Sequence, residues 1–372
     1  MIAVVCLIFV QVTLLAMEIP VALQGRTDFR HFYTAGFLVR TGHGNQIYDY
    51  DRTVATEKEV AGTAGPDLPY THPAYEALLF AGLSKFRYQT AFWIFLGISV
   101  ALLFTALWLL APMAKSPGAT WPMLVVAGFL PVGICLIEGQ DSIVLLALIT
   151  ASYVLQKSGK ELAAGVALGL AAFRFQFLLP FVIFLIFEKR WKFLGGAAVS
   201  AAVAIGASLF VAGPESLAAY PRYLAAMSVG LHTNEQKVAM GVWPATMPNL
   251  RGFVSLLQVD RAAHWVAQLV TLAGSVGLLA WGIAKRLRFE LMAVVAVLLS
   301  YHGEIHDSVL LLLPLLKCEA TDRPWQLTLW LSMLVLPSVA FAARIPFAWL
   351  AVVYAIFLFS AAGRASGIQR TG

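Results

Sequence analysis

The chain has 372 residues, of which 60% are hydrophobic and only 12% are charged, and its mean hydropathy is +0.78. A soluble domain contains about 25% charged residues, so this composition excludes a soluble enzyme, a nucleic-acid-binding protein and a disordered chain. The formal net charge of +6 fits a polytopic membrane protein instead, because such proteins keep Lys and Arg in their cytoplasmic loops.

Apolar segments recur along the whole chain and predict an all-α membrane protein. Residues 1–23 lack the basic start and the cleavage site of a signal peptide, so we expect a first transmembrane helix. Residues 24–72 are polar, and residues 73–86 are too short to span a bilayer, so they predict an interfacial or re-entrant helix. The later apolar segments are 89–112, 120–137, 141–156, 161–174, 176–187, 193–212, 263–284, 290–301, 306–317, 325–342 and 346–362.

The basic loops 188–192 and 285–288 indicate the cytoplasmic side. Counting from these loops predicts about twelve crossings, with a range of 10–13, and both termini inside. We therefore expect a multi-pass protein of the cell membrane, with residues 1–372 forming one transmembrane domain. Two large extracytoplasmic loops are expected, namely 24–88 with the interfacial helix and 213–262.

Five polar pieces meet on the predicted outer side: 24–72, 138–141, the apex 174–176 between two apolar half-segments, 213–262 and 302–307. Charged groups at the edge of a bilayer are costly and are functional candidates by default. A channel would carry polar residues along its full depth. The clustering on one side therefore favours an extracytoplasmic active site.

Several segments are similar to a known family. GRTDFRHFYTAGFLVRTGHGNQIYDYD at residues 25–51 resembles the first outer loop of glycosyltransferase family 87, and LIEGQDSIVLLALI and HGEIHDSVLLLLPLL continue the likeness in order. The resemblance implies the GT-C membrane fold and an α-1,2-mannosyltransferase-like activity. It implies that a polyprenol-phosphate sugar, often mannose, is donated with inversion to a lipid or glycan acceptor on the outer leaflet.

Asp28 follows the first helix by five residues and matches the loop aspartate of the family. The resemblance implies that this carboxylate is the catalytic general base, which would take a proton from the acceptor hydroxyl. The residues alone leave open a solvated acid, or an ion-pair partner for Arg26 or Arg30.

Arg174 lies between the two apolar half-segments, where a guanidinium could grip a lipid phosphate. The family commonly shows lysine at this apex, so the cation is kept while its geometry changes. The alternative is a membrane-anchoring arginine. Gln140 is a second candidate for donor binding, and Asp141 could be either a ligand-binding residue or a helix N-cap.

His302 and His306 stand four positions apart with Glu304 between them, which invites a zinc interpretation. The order differs from His-Glu-x-x-His and no third ligand is obvious, so no metal or other cofactor is expected. The resemblance places His306 near the donor phosphate or acceptor. The alternative is a pair of histidines that cap a helix beginning near Asp307.

Residues that could contact the acceptor or support the site lie in the predicted outer segments: His72, Tyr70, Asn249, Arg251, Asp307 and Lys237. Aromatic residues also populate every membrane interface, so this assignment stays open for Tyr70. No phosphate-binding glycine loop is present, which argues against a nucleotide-sugar donor. The competing function is a transporter or flippase of lipid-linked saccharides, although the repeated halves typical of transporters are not visible.

Overall fold

The computed structural model describes residues 2–62, 67–113, 121–229, 243–257, 264–317 and 324–368. Every regular element within these residues is helical, which confirms the all-α prediction. The α-helices are α1 Ile2–Leu23, α2 Phe29–Arg40, α3 Tyr50–Val60, α4 Ala77–Leu83, α5 Tyr88–Leu110, α6 Trp121–Gly128, α7 Leu130–Glu138, α8 Ser142–Lys157, α9 Glu161–Leu170, α10 Phe175–Phe187, α11 Trp191–Val229, α12 Leu250–Ser255, α13 His264–Ala284, α14 Phe289–Leu299, α15 Leu312–Lys317, α16 Pro324–Ala342 and α17 Leu350–Ile368.

Many of these helices are suited to a membrane. Among the described residues, six helical segments are long and apolar enough to cross one: Val5–Leu23, Tyr88–Met113, Glu161–Phe187, Trp191–Ala225, Trp265–Ala284 and Trp325–Ala342. Other expected crossings are short or interrupted. The run 120–137 is divided between α6 and α7, and 306–317 is a 3₁₀ segment followed by α15. Length and composition alone therefore do not confirm the expected count of about twelve.

The chain reverses direction at Arg174, as the sequence predicts for the apex. A Cβ on Gly165 would lie 1.9 Å from the Phe193 carbonyl oxygen, and a Cβ on Gly169 would lie 2.6 Å from that of Ala197. Because the residue numbers of the contact partners increase together along both helices, α9 and α11 run side by side in the same direction. Glu161 and Arg190 also form an ion pair of 2.9 Å, so α10 must run in the opposite direction and bring the chain back to the level where α9 begins. Residues 161–187 are consequently two short antiparallel helices, and this one of the six apolar segments does not cross as a single straight helix.

Basic residues predicted for the cytoplasmic loops lie at the end of the helices remote from Arg174. The ammonium groups of Lys157 and Lys317 lie 5.6 and 5.8 Å from the centre of the Tyr153 ring. Helix α8 connects this basic end to Asp141, which lies beside Arg174. The molecule therefore has a basic end and, opposite to it, a polar end that holds the candidate site.

The predicted first outer loop is largely helical, which the polar composition of 24–72 does not indicate. Phe29, Phe32 and Leu38 give α2 an apolar face, and the first two pack on Phe80 of α4. Gly36 lets α2 approach closely, because a Cβ there would lie 2.3 Å from the Phe80 carbonyl carbon. The apolar helical segment Ala74–Leu83 is about 15 Å long, so it is too short to cross a bilayer.

Candidate active site

One cavity of about 720 Å³ lies at the polar end and is lined by segments from across the chain. This volume is typical of small-molecule sites, which measure about 300–1,000 Å³. The sequence-predicted residues that line it are Asp28, His72, Gln140, Arg174, Arg251 and His306. Five polar pieces that are distant in sequence thus contribute to one site.

Asp28 is held at the start of α2 by its neighbour Arg30. The Arg30 guanidinium pairs with Glu57 at 2.7 Å and donates to the carbonyl oxygens of Gly25 and Gly62, both at 3.0 Å. These contacts fix the turn that precedes α2. They also engage the Arg30 guanidinium with groups other than the Asp28 carboxylate. Asp28 makes no side-chain cap on α2, so its carboxylate is available to the cavity.

Gly139 brings the Glu138–Gln140 turn against Asp28. Its φ of +63° lies in the left-handed region that favours glycine, and a Cβ there would lie 2.6 Å from the Phe29 Cβ. On one side of this turn, the Glu138 carboxylate accepts a hydrogen bond of 3.3 Å from the Asp28 backbone N–H. On the other side, the Gln140 side-chain amide donates to the Asp28 carboxylate.

Arg174 joins the same hydrogen-bond chain. Its Nη2 donates to Gln140 Oε1 at 2.6 Å, and its Nε donates to Asp141 Oδ1 at 2.9 Å. Nη1 lies 3.7 Å from the Asp307 carboxylate and makes no hydrogen bond to another described residue. The guanidinium is buried against two carboxylates, and Nη1 is the nitrogen left for a ligand. Asp141 makes no side-chain cap on α8 and bonds Arg174 instead.

Carboxylates, rather than histidines, cap the 3₁₀ segment Ile305–Leu311. The Glu304 backbone N–H donates to Asp307 Oδ2 at 2.9 Å, and the two side chains form a capping box. Asp307 also accepts a hydrogen bond of 2.6 Å from the Ser142 hydroxyl, so it lies behind the cavity wall and does not line it. His302 and His306 are left to face the cavity.

The candidate acceptor residues divide into two groups. His72 and Arg251 line the cavity, and the Arg251 guanidinium lies 4.1 Å from the centre of the Tyr301 ring. Tyr70 and Asn249 do not line it. The Tyr70 hydroxyl donates to the Pro73 carbonyl at 3.2 Å, and the Asn249 amide donates to the Ser300 carbonyl at 2.9 Å. These two residues shape the segments around the cavity, and Lys237 lies outside the described residues.

Two further residues of the site, His31 and Glu138, were missed by the sequence analysis. His31 lines the cavity one helical turn after Asp28, and its buried Nδ1 has no hydrogen-bond partner among the described residues. The i, i+3 spacing to Asp28 on α2 would have indicated it, had a helix been predicted there. Glu138 has no comparable signal, since its contact with Asp28 is made across the fold.

Burial controls the protonation of the groups around the cavity. Burial, and next the negative charge of Asp28, raise the pKa of Glu138 to about 8. Burial raises the pKa of Glu304 to about 8 as well. Burial lowers the pKa of His302 to about 4 and also lowers that of His306, so both imidazoles are neutral at pH 7. Burial raises the pKa of Asp141, but the positive charge of Arg174 acts in the opposite direction, and this pKa lies below its usual value.

Apolar side chains line part of the cavity and form what we call its apolar wall. They are Leu15 of α1, Ile134 and Ile137 of α7, Phe341 of α16, and Phe347, which begins the 3₁₀ turn before α17. A ligand with a charged group and a long apolar tail would place the charged group beside the polar side chains and the tail along the apolar wall.

The comparisons with known proteins agree with the resemblance seen in the sequence. The family model of Glycosyltransferase family 87 matches residues 70–314, which is more than half of the chain. The chain therefore belongs to glycosyltransferase family 87. No curated protein sequence and no solved structure matches it.

Proposed function

We propose that this member of glycosyltransferase family 87 moves a hexose, with mannose as the proposed sugar, from a polyprenol-phosphate donor to a glycan or glycolipid acceptor. The reaction takes place on the outer side of the cell membrane and inverts the anomeric configuration. The observation that carries the proposal is the Asp28–Gln140–Arg174 hydrogen-bond chain. It places a carboxylate and a cation one amide apart, in a cavity that also has an apolar wall.

The donor would lie with its phosphate at the charged end of the cavity and its prenyl tail along the apolar wall. Arg174 offers Nη1 to a phosphate oxygen, and the neutral imidazole of His306 can donate one further hydrogen bond. Gln140 orients Arg174 from behind. Such a donor is anchored in the bilayer, which accords with the apolar side chains of α1 and α7 at the wall.

Asp28 is proposed as the general base. The acceptor oxygen attacks the anomeric carbon while its proton passes to the Asp28 carboxylate. The bond from the anomeric carbon to the phosphate oxygen breaks on the opposite face, and the polyprenol phosphate leaves with both bonding electrons. Arg174 balances the negative charge that develops on the leaving phosphate. Attack opposite the leaving group inverts the anomeric centre.

The acceptor is proposed to enter beside His72 and Arg251. The Arg251 guanidinium is fixed against the Tyr301 ring and donates to the Tyr301 carbonyl at 2.9 Å. Sugars combine hydroxyl groups with apolar ring faces. The Arg251 guanidinium offers hydrogen-bond donors to the hydroxyl groups, and the Tyr301 ring offers an aromatic edge. Tyr70, Asn249 and Asp307 then act as positioning residues, since each bonds a segment that lines the cavity.

The test is to incubate the purified full-length protein with polyprenol-phosphate mannose and a panel of glycan and glycolipid acceptors, and to read the products by mass spectrometry. The proposal expects a mass increase of one hexose on an acceptor and release of polyprenol phosphate. Nucleotide-sugar donors should give no product. Movement of a lipid-linked saccharide across liposomes without any transfer would instead support the flippase alternative.

A further inference from the structure

Three buried side chains meet at the cavity wall, which His72 lines: His72, Glu76 and Asp141. Nδ1 of His72 lies 2.7 Å from Glu76 Oε2 and 3.4 Å from Asp141 Oδ2. One potential ligand atom from each residue lies within 4.8 Å of the other two, a geometry found in this group alone among the described residues. The side chains are 7%, 5% and 1% exposed, so the cluster is shielded from solvent.

The charges around this cluster do not balance. Asp141 and Asp307 lie against the guanidinium of Arg174, and Glu76, a third carboxyl group, lies against His72. Because unpaired buried charge is costly, something must neutralise the excess. A divalent cation and a proton shared by two carboxyl groups are the two candidates.

The orientation of the side chains favours a cation. Arg174 makes its shortest contacts to Asp141 Oδ1, and its Nε also donates to Asp141 Oδ2 at 3.2 Å, the oxygen that lies 3.4 Å from His72. Outer hydrogen bonds of this kind hold carboxylates in position for a metal ion. His72 and Glu76 are four positions apart at the start of the Ala74–Leu83 segment, so one local turn supplies two of the three ligands.

We propose that His72, Glu76 and Asp141 bind a Zn²⁺ ion. Zn²⁺ accepts one imidazole nitrogen together with carboxylate oxygens, and three protein ligands leave a fourth position open. Mg²⁺ and Ca²⁺ prefer all-oxygen sites. Tetrahedral bonds of about 2.0–2.2 Å separate the ligand atoms by about 3.3–3.6 Å. The His72–Asp141 distance of 3.4 Å already fits, and the His72–Glu76 pair would open on binding.

The proposed site differs from the His302–Glu304–His306 pattern that the sequence suggested. It also does not depend on the proposed transferase activity. His72 lines the cavity, and Asp141 holds Arg174, so the ion would fix the wall against which Arg174 rests. A shared proton between Glu76 and Asp141 would leave the cluster without metal affinity.

The test measures Zn²⁺ in the purified full-length protein after removal of metal with EDTA and dialysis against micromolar Zn²⁺, with and without excess Mg²⁺. We expect one Zn²⁺ per chain, little competition from Mg²⁺, and a higher unfolding temperature with Zn²⁺ than without it. His72→Ala should weaken Zn²⁺ binding by more than about tenfold, since even outer-shell changes weaken metal binding by about 10–100-fold.

His43→Ala is the matched control, because His43 lies in the same first loop and its ring makes one hydrogen bond to a described residue, at 3.2 Å with the Thr41 hydroxyl. It should keep full Zn²⁺ binding. If His72→Ala fails to fold, Glu76→Gln, which retains the shape but not the charge, takes its place. Wild-type protein without Zn²⁺, or equal binding in wild type and in the folded variant, would overturn the proposal.

Discussion

The Gln140 side-chain amide donates a hydrogen bond to the Asp28 carboxylate across 112 positions of sequence. The carbonyl oxygen of the same amide accepts a hydrogen bond of 2.6 Å from Arg174. One planar group therefore orients both the proposed base and the proposed phosphate ligand.

Replacing Gln140 by Glu should shift the pH dependence of transfer. A second carboxylate beside Asp28 disfavours the ionised form of the base. We expect the acidic limb of the rate profile to move to higher pH. Gln176→Glu is the control, because Gln176 also lines the cavity but bonds the His302 carbonyl. Equal profiles for the two variants would remove Gln140 from the mechanism.

Replacing Arg174 should affect both stability and donor binding. Arg174→Ala leaves Asp141 and Asp307 buried without their cation, and breaking a buried pair costs about 3–5 kcal/mol. Loss of a charged hydrogen bond worth about 1.5–3 kcal/mol predicts a tenfold to hundredfold weaker donor interaction. Arg174→Lys keeps the positive charge and should retain part of the stability and part of the donor affinity.

Thermal unfolding and the donor KM should be measured for each Arg174 variant in the same detergent. The two readouts separate a structural arginine from a ligand-binding one. A normal donor KM and a normal rate in a folded Arg174→Ala protein would reduce this residue to a structural role.

Stability should fall as the pH rises from 6.5 to 8. The pKa values of Glu138 and Glu304 are about 8 in the folded protein, against an ordinary value of 4.5. The folded state therefore holds more protons than the unfolded state in this window, and stability decreases with rising pH. His72 and His302, whose pKa values burial lowers to about 3 and about 4, contribute the opposite trend only below pH 6.5.

Unfolding temperatures at pH 6.5 and 8 check this expectation. Glu138→Gln cannot ionise and should show a smaller decrease than the wild type. Glu59→Gln changes an exposed acid of α3 and should behave like the wild type. An identical decrease in both variants would show that Glu138 does not titrate in this window.

The polar and basic ends of the molecule should face opposite sides of the membrane. In a cysteine-free background, Asn45→Cys near the polar end and Lys160→Cys near the basic end are both at exposed positions. An impermeant maleimide added to intact cells should label the first and not the second until the membrane is permeabilised. Labelling of both from outside would contradict the proposed extracytoplasmic site.

The sequence predicts the helical class and most helix positions, because long apolar runs have few alternatives in a membrane protein. The reversal at Arg174 is also predictable, since a charged residue divides two short apolar runs there. The helices within 24–72 are not predictable in this way. Helix α2 combines charged side chains with an aromatic face, so its mean hydropathy does not stand out from that of a polar loop.

The candidate site is only partly readable from the sequence. Asp28, Gln140 and Arg174 are found from their position at helix ends and from the family resemblance. The Glu138 contact with Asp28 and the His72–Glu76–Asp141 cluster arise only from tertiary packing. Gly139 makes the close approach of Glu138 to Asp28 possible. A single glycine in a sequence does not indicate which segment will pack against it.

The turnover of Asp28→Asn tests the central claim most directly. Asparagine keeps the shape of the side chain but cannot take up a proton at neutral pH, and general-base catalysis contributes about 10²–10⁴-fold. We therefore expect a folded protein with near-normal donor binding and a rate reduced by about 10²–10⁴-fold. Asp51→Asn, at an exposed position in the first turn of α3, should retain the wild-type rate. A folded Asp28→Asn protein that keeps more than about a tenth of the wild-type rate, far above the loss of a base, would contradict the assignment.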